Sequence, residues 1–409
     1  MEHLQGLIGV LVLLGIAFAL SENRRAIRWR VVLWGMALQA VFALLILRTQ
    51  GGRAFFAAVD GAIRALLGFS YEGAEFVFKS FGKQEIEGPL QNFAFTVLPT
   101  IIFFSALMAM LYHVGLMQLV IGAIAWLMRR TMKTSGAETM SAAANIFVGQ
   151  TEAPLMVRPF VPDMTRSELM AIMTCGFATV AGGVMAMYVG LLKDVIPGIA
   201  GHLMAASIMS APAGLVIAKI MVPETGQPKT SGDLPIEVPR PDANLLEALG
   251  RGATEGMQLL LNVAAMLIAF VGILAMLNAG LGLAGTSLQE LFGVVFRPLA
   301  WCMGAPWDEA DELGRLMGEK IVLTELIAYG SLRELAASDQ QLSPRTAVIA
   351  SYALCGFANF ASIGIQIGGI GGMAPSRRSD LAELGLRAMF AGALASWLTA
   401  ALAGILFVG

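Results

Sequence analysis

Charge is scarce in this chain. Of 409 residues only 14% are Asp, Glu, Lys or Arg, and a net charge of -2 leaves no basic surface for nucleic acid. There are three histidines and three cysteines. Cys175, Cys302 and Cys355 lie in or beside apolar stretches without metal-ligand spacing, so they are assigned no metal or redox role. His113 and His202 carry no neighbouring ligand set. No polar cluster holds a nucleophile with a positioned base, which argues against an enzyme. What the chain has is apolar sequence. It is 57% hydrophobic with a mean hydropathy of +0.72, and several segments exceed about 18 residues with few charges. A polytopic membrane protein follows. A channel would need a continuous polar pore, whereas the polar residues here gather at one depth.

The first stretch, 4–20, lacks a basic n-region and is followed by Arg24, Arg25, Arg28 and Arg30, so it reads as a retained span rather than a signal peptide. Span 2 occupies 31–47, and the arginines between the two mark a cytoplasmic loop with the N-terminus outside. Residues 53–88 mix phenylalanines with Asp60, Arg64, Glu72, Glu75 and Lys79, which predicts amphipathic helices along the interface. Span 3 covers 91–112, and 115–133 reads as a surface-lying helix closed by Arg129, Arg130 and Lys133. Span 4 (167–192) is expected to break at Gly176 and at Gly182-Gly183. Span 5 is 199–221, the proline-rich stretch 223–242 is a soluble linker, and span 6 is 253–277. An amphipathic segment at 288–303 follows, then spans 7 (346–367) and 8 (384–408), with the C-terminus outside the cell membrane.

Two polar clusters interrupt this pattern. NIFVGQTEAP at 145–154 packs Asn145, Gln150, Thr151 and Glu152 between apolar helices, with Gly149 and Pro154 bracketing the turn of a re-entrant hairpin. A carboxylate at membrane depth costs about 2.5 to 3.5 kcal/mol on insertion scales, which makes it a functional candidate. GEKIVLTELIAYG at 318–330 places a second Thr-Glu pair, Thr324 and Glu325, in a second hairpin. Downstream, Cys355-Gly356-Phe357-Ala358 repeats Cys175-Gly176-Phe177-Ala178. The offset is 180 positions for this pair and 173 for the Glu pair. Two similar offsets indicate a duplicated unit of hairpin, broken span and intact span. An odd number of crossings separates the copies, so the repeat is inverted, the arrangement of secondary transporters. The expected fold is all-α, with about eight transmembrane helices, two re-entrant hairpins in an inverted repeat, and interfacial helices. The bland alternative is that Glu152 and Glu325 only stabilise the hairpin turns.

The run SAAANIFVGQTEAPLMVRPF at 141–160, the Thr-Glu of the second hairpin and ALCGFANFASIG at 353–364 closely resemble the concentrative nucleoside transporter family over nearly the whole chain. The resemblance implies a homotrimer in which a mobile transport domain moves against a scaffold. Here 1–133 and 223–306 would be scaffold and linker, and 134–222 and 307–409 the two transport-domain repeats. It implies that Gln150, Thr151 and Glu152 read the nucleobase, with Val184 an apolar contact to it. Glu325, Asn359 and Ser362 would hold the ribose hydroxyls and Phe357 would pack on the nucleoside. A coupling sodium ion would sit on Asn145, Thr179 and the carbonyls of Val148 and Val180. The residue chemistry is compatible, because amides suit a base and carboxylate and amide suit a diol. Proton coupling is the alternative. Lys320 and Asn262 are left outside the site, and the basic residues are too few in the tips for a phosphorylated substrate.

Overall fold

The computed structural model describes residues 2–78, 98–231, 242–338 and 342–407, and among these all regular structure is helical. Five segments are long and apolar enough to cross a membrane by length and composition: Trp29–Arg48, Gln50–Phe78, Arg166–Leu192, Ile199–Met221 and Pro375–Leu406. The pair Pro99–Val114 and Leu116–Met132, bent by 77°, passes the same test when taken together. Helix α1 (Glu2–Ala19) packs on the last helix. Helix α2 (Trp29–Arg48) leads into α3 (Gln50–Phe78), which occupies most of the stretch 53–88 where amphipathic interfacial helices are expected. A single 29-residue helix is present, because no proline interrupts it and its glycines 61, 68 and 73 face open space where a Cβ would go. The remainder of that segment and the start of span 3 lie outside the described residues.

Helix α4 (Pro99–Val114) ends at Gly115, whose φ of 93° lets the chain turn into α5 (Leu116–Met132), the surface-lying helix expected there. The first hairpin consists of α6 (Gly136–Ala144) and the four-residue α7 (Glu152–Leu155). Its first arm stops at Ala144 rather than near Gly149, because Asn145 turns its Nδ2 back onto Ser141 O at 3.0 Å and competes with the ladder. Its second arm is short because Pro159 and Pro162 follow within a 3-10 turn.

Span 4 is split into α8 (Arg166–Ala178) and α9 (Gly182–Leu192). The break falls at 179–181, not at Gly176, which stays helical because it serves close packing. A Cβ there would lie 2.8 Å from Gln366 Nε2 and 2.9 Å from Gln150 Cβ. Span 5 is α10 (Ile199–Met221). The linker after it is not wholly solvated, since Glu224 and Thr230 are buried. Span 6, α11 (Leu245–Gly282), runs 38 residues and starts earlier than 253, because Asn244 caps it by accepting from Glu247 N at 3.0 Å. Glycines 252 and 256 bring α11 onto the backbone of α4, where a Cβ would meet Ala106 Cα at 2.8 Å and Ile102 Cα at 2.7 Å. Its other face exposes Leu249, Leu261, Ile268 and Met276.

The amphipathic α12 (Leu288–Cys302) packs along α13 (Ala310–Val322), the first arm of the second hairpin, whose second arm is α14 (Glu325–Ala337). Span 7 is split into α15 (Pro344–Ala353) and α16 (Phe360–Met373). The final helix, α17 (Arg378–Leu406), is largely buried against α1, α8, α10 and α15.

A buried ionic cluster ties the stems of the first repeat. Lys219 Nζ lies 2.6 Å from Glu138 and 3.3 Å from Glu224 and donates to Ser167 Oγ at 2.9 Å. Ser135 caps α6 while donating to Glu168 at 2.6 Å, and Thr165 donates to Glu224 at 2.8 Å. Charges removed from water persist only when paired in this way.

Candidate functional site

The two repeats meet tip to half-helix. Thr324 caps α14 through its hydroxyl, which places Glu325 in the first turn of that helix. Glu325 is 5% exposed, and each of its carboxylate oxygens is held by a donor. Oε1 accepts from the Tyr188 hydroxyl of α9 at 2.6 Å, and Oε2 accepts from Asn359 Nδ2 at 2.9 Å. Asn359 caps α16, its Oδ1 accepting from Ser362 N at 2.8 Å. Glu325, Asn359 and Ser362 therefore form one contiguous buried group. Phe357 is half-buried next to them, after Gly356.

The first hairpin makes the reciprocal contact with the second repeat. Gln150, 6% exposed, accepts through Oε1 from Gln366 Nε2 of α16 at 2.9 Å, and the same Nε2 donates to Met173 O at 3.1 Å. Thr151 packs against Gly369, where a Cβ would lie 3.2 Å from Thr151 Cβ. Glu152 parts company with Gln150. Its side chain is exposed and curls over Gly149. Val184 is buried one turn before Tyr188 on α9.

The breaks also touch. Gly356 has φ of 113°, and a Cβ there would lie 2.7 Å from Phe177 O and 2.8 Å from Ala178 O, so the break of span 7 lies against the break of span 4. The first hairpin reaches the same place: Gly182 N donates to Phe147 O at 2.8 Å. Asn145 and Thr179 flank that contact, buried at 0% and 1% exposure.

These residues suit a hard monovalent cation. Asn145 Oδ1 is buried with no hydrogen-bond partner, an unsatisfied acceptor of the kind native interiors rarely leave. Thr179 Oγ1 donates to Cys175 O at 2.8 Å and keeps its lone pairs free. Ala153 N bonds Gly149 O and Met185 N bonds Ala181 O, so the carbonyls of Val148 and Val180 sit one residue outside both ladders. Among the described residues no group of three His, Cys, Asp or Glu side chains could hold a metal, so a divalent centre has no counterpart here.

Tyr188 and Gln366 were missed from sequence, although each had a signal. Tyr188 carries the one hydroxyl in GGVMAMYVGLL, and Gln366 stands four positions after Ser362 on the same helical face.

Comparison with known proteins places this geometry. Residues 8–81 match the family described as Na+ dependent nucleoside transporter N-terminus, 202–404 its C-terminus, and 94–195 a nucleoside recognition (Gate) domain. An uncharacterized transporter of Haemophilus influenzae is 45% identical over 100% of this chain and 99% of its own length. Sodium/nucleoside cotransporter 1 of Mus musculus is 42% identical over 100% of this chain and 64% of that protein. The solved structure of CNTnw in an inward-facing substrate-bound state is 41% identical, with TM-score 0.93 over 99% of this chain and 98% of that one. A substituted CNTnw in an outward-facing state has 40% identity and TM-score 0.92.

Proposed function

Because the chain belongs to the concentrative, Na+ dependent nucleoside transporter family, and is thus a transporter and not an enzyme, we propose that it imports nucleosides of the uridine type in symport with sodium. The observation that carries this reading is Glu325, a buried carboxylate presented between Tyr188 of one repeat and Asn359 of the other. With each oxygen already oriented by a donor, its remaining lone pairs are aimed, and a vicinal diol can donate two charge-assisted bonds to them. Ser362 adds a hydroxyl on the same side, and Phe357 an aromatic face. Gln150, positioned by Gln366, retains its amide N–H groups for a base, with Thr151, Glu152 and Val184 around it. Removing the sugar hydroxyls would leave this group unpaired, so a free nucleobase is a poor substrate.

Asn145, Thr179, Val148 and Val180 supply the oxygens for one sodium ion, which would offset the negative end of α8 and stabilise the break on which the substrate rests. Ion and substrate then favour each other by linkage. The two repeats, joined at their breaks, move as one transport domain against a scaffold built on α4 and α11, giving alternating access in a homotrimer of the cell membrane with both termini outside.

The test is uptake of labelled uridine into proteoliposomes with sodium and pH gradients varied independently. Sodium-driven accumulation that Asn145→Ala shifts to higher sodium is expected. Uptake undiminished without sodium and following the pH gradient would establish the proton-coupled alternative, and uracil competing as well as uridine would establish a nucleobase carrier.

A further inference from the structure

Lys320 is fully buried in the last turn of α13, and its ammonium donates to Ala353 O at 2.9 Å and Cys355 O at 3.1 Å. Neither partner is a carboxylate. Both carbonyls belong to the end of α15, where the half-helix of span 7 stops and its last peptide dipoles point a partial negative charge into the break. A buried ammonium is costly unless something there requires a positive charge.

The first repeat shows what that requirement is. With the 180-position offset, Ala353 and Cys355 correspond to Met173 and Cys175, inside α8 and ahead of its end at Ala178. Their carbonyls are satisfied by neutral donors, Gln366 Nε2 and the Thr179 hydroxyl. With the 173-position offset of the hairpins, Lys320 corresponds to Phe147, an apolar residue whose carbonyl is bonded to Gly182 N. The first repeat has the orphaned oxygen of Asn145 and no lysine at the position of Lys320; the second has that lysine.

We propose that the Lys320 ammonium is a tethered cation that seals the C-terminal end of α15, in the break that corresponds to the one where the first repeat takes a dissociable ion, and thereby positions Glu325 and Asn359 for the substrate. This rests on the sodium site assigned above to the first repeat. It makes Lys320 a positioning residue rather than a substrate contact, and it closes the second repeat to a second ion.

The experiment uses the purified full-length protein, with uridine binding measured calorimetrically against sodium concentration alongside thermal melting. Wild-type binding should follow sodium with a Hill coefficient of about one. Lys320→Arg, which keeps the charge, should hold uridine affinity within about threefold, whereas Lys320→Met, of similar length and uncharged, should weaken it at least about tenfold. Lys320→Ala leaves room for a small cation, so its sodium dependence should steepen towards a Hill coefficient of about two, or added methylammonium should restore part of the affinity. A Lys320→Met protein that binds uridine like wild type overturns the proposal, as does a wild-type Hill coefficient of about two or more. The wild-type titration decides the matter alone if the neutral variants do not fold. Wild-type binding indifferent to sodium overturns the first-repeat assignment as well, which separates the two failures.

Discussion

Replacing Glu325 with glutamine removes one charge from the site while keeping its outline. Asn359 Oδ1 is committed to Ser362 N, so Asn359 can only donate towards position 325 and the new side chain must face it with its oxygen. The new amide N–H then points at Tyr188, whose hydroxyl can rotate to accept. The local geometry survives, but the amide nitrogen has no lone pair to offer, so the sugar hydroxyl that donated there must turn and accept, and both bonds to the sugar become neutral ones. A hydrogen bond to a charged group contributes about 1.5 to 3 kcal/mol and a neutral one about 0.5 to 1.5 kcal/mol, so each of two sugar hydroxyls loses about 1 to 1.5 kcal/mol. The sum, about 2 to 3 kcal/mol, corresponds to a uridine affinity lower by about 30- to 150-fold at saturating sodium. Calorimetric titration with uridine and with 2′,3′-dideoxyuridine measures this directly. The dideoxy analogue has no diol to lose, so Glu325→Gln should change its affinity by no more than about threefold. If the variant weakens both ligands equally, the carboxylate does not read the sugar and the assignment of the second hairpin is wrong.

Gly356→Ala should cost several degrees of melting temperature and much of the folded yield, because φ is 113° and the added Cβ meets the backbone at Phe177 and Ala178, with strain and overpacking each about 1 to 3 kcal/mol; an unchanged melt refutes the break-to-break contact. Gln366→Leu strips the donor from Gln150 Oε1 and Met173 O, two buried acceptors worth about 1 to 3 kcal/mol each, so it should lower stability and disturb the ranking of nucleobases in competition assays. Retention of both properties would show that Gln366 does not orient Gln150. The Arg251 guanidinium, bonded to Asp242 at 2.7 and 2.8 Å, holds that carboxyl below the usual aspartate range. Its contribution to stability is therefore full above the unfolded value of about 3.9 and is lost as pH falls through the lower folded value. Melting followed from pH 7 downward should show this loss in wild type, and Asp242→Asn should lack it.

The parts of the fold legible in the sequence were those that break a pattern. Asn145 to Glu152 and Thr324-Glu325 stood out because polar groups are expensive among apolar helices, and the CGFA repeat exposed the duplication. Helix ends were less legible. Gly176 looked like a break because glycine weakens helices, but its missing Cβ makes room for Gln150 and Gln366, a tertiary reason that no local rule contains. The stretch around Asp60 and Arg64 showed its amphipathic character in sequence but not that it forms one long helix, in which those two side chains pair at 2.7 Å one turn apart. Tyr188 and Lys320 were passed over for the same cause. Their partners are the other repeat's Glu325 and the backbone at 353–355, which only the assembled fold brings near.

The ionic cluster around Lys219 bears on how the protein is made. Glu138, Ser167, Glu168, Lys219 and Glu224 all precede the second repeat in the chain, so every partner needed to neutralise these charges has left the ribosome before the second hairpin is synthesised. Lys320 and its two carbonyls likewise close within their own half. The buried bonds that join the halves at the site, Tyr188 to Glu325 and Gln150 to Gln366, are not ion pairs, and an ion pair that does cross, Arg166 to Glu383 at 2.8 Å, lies among exposed side chains. Each half can thus enter the bilayer with its buried lysine, Lys219 or Lys320, satisfied from within, and the last event of assembly is the docking of two finished pieces along the surface that later holds the cargo.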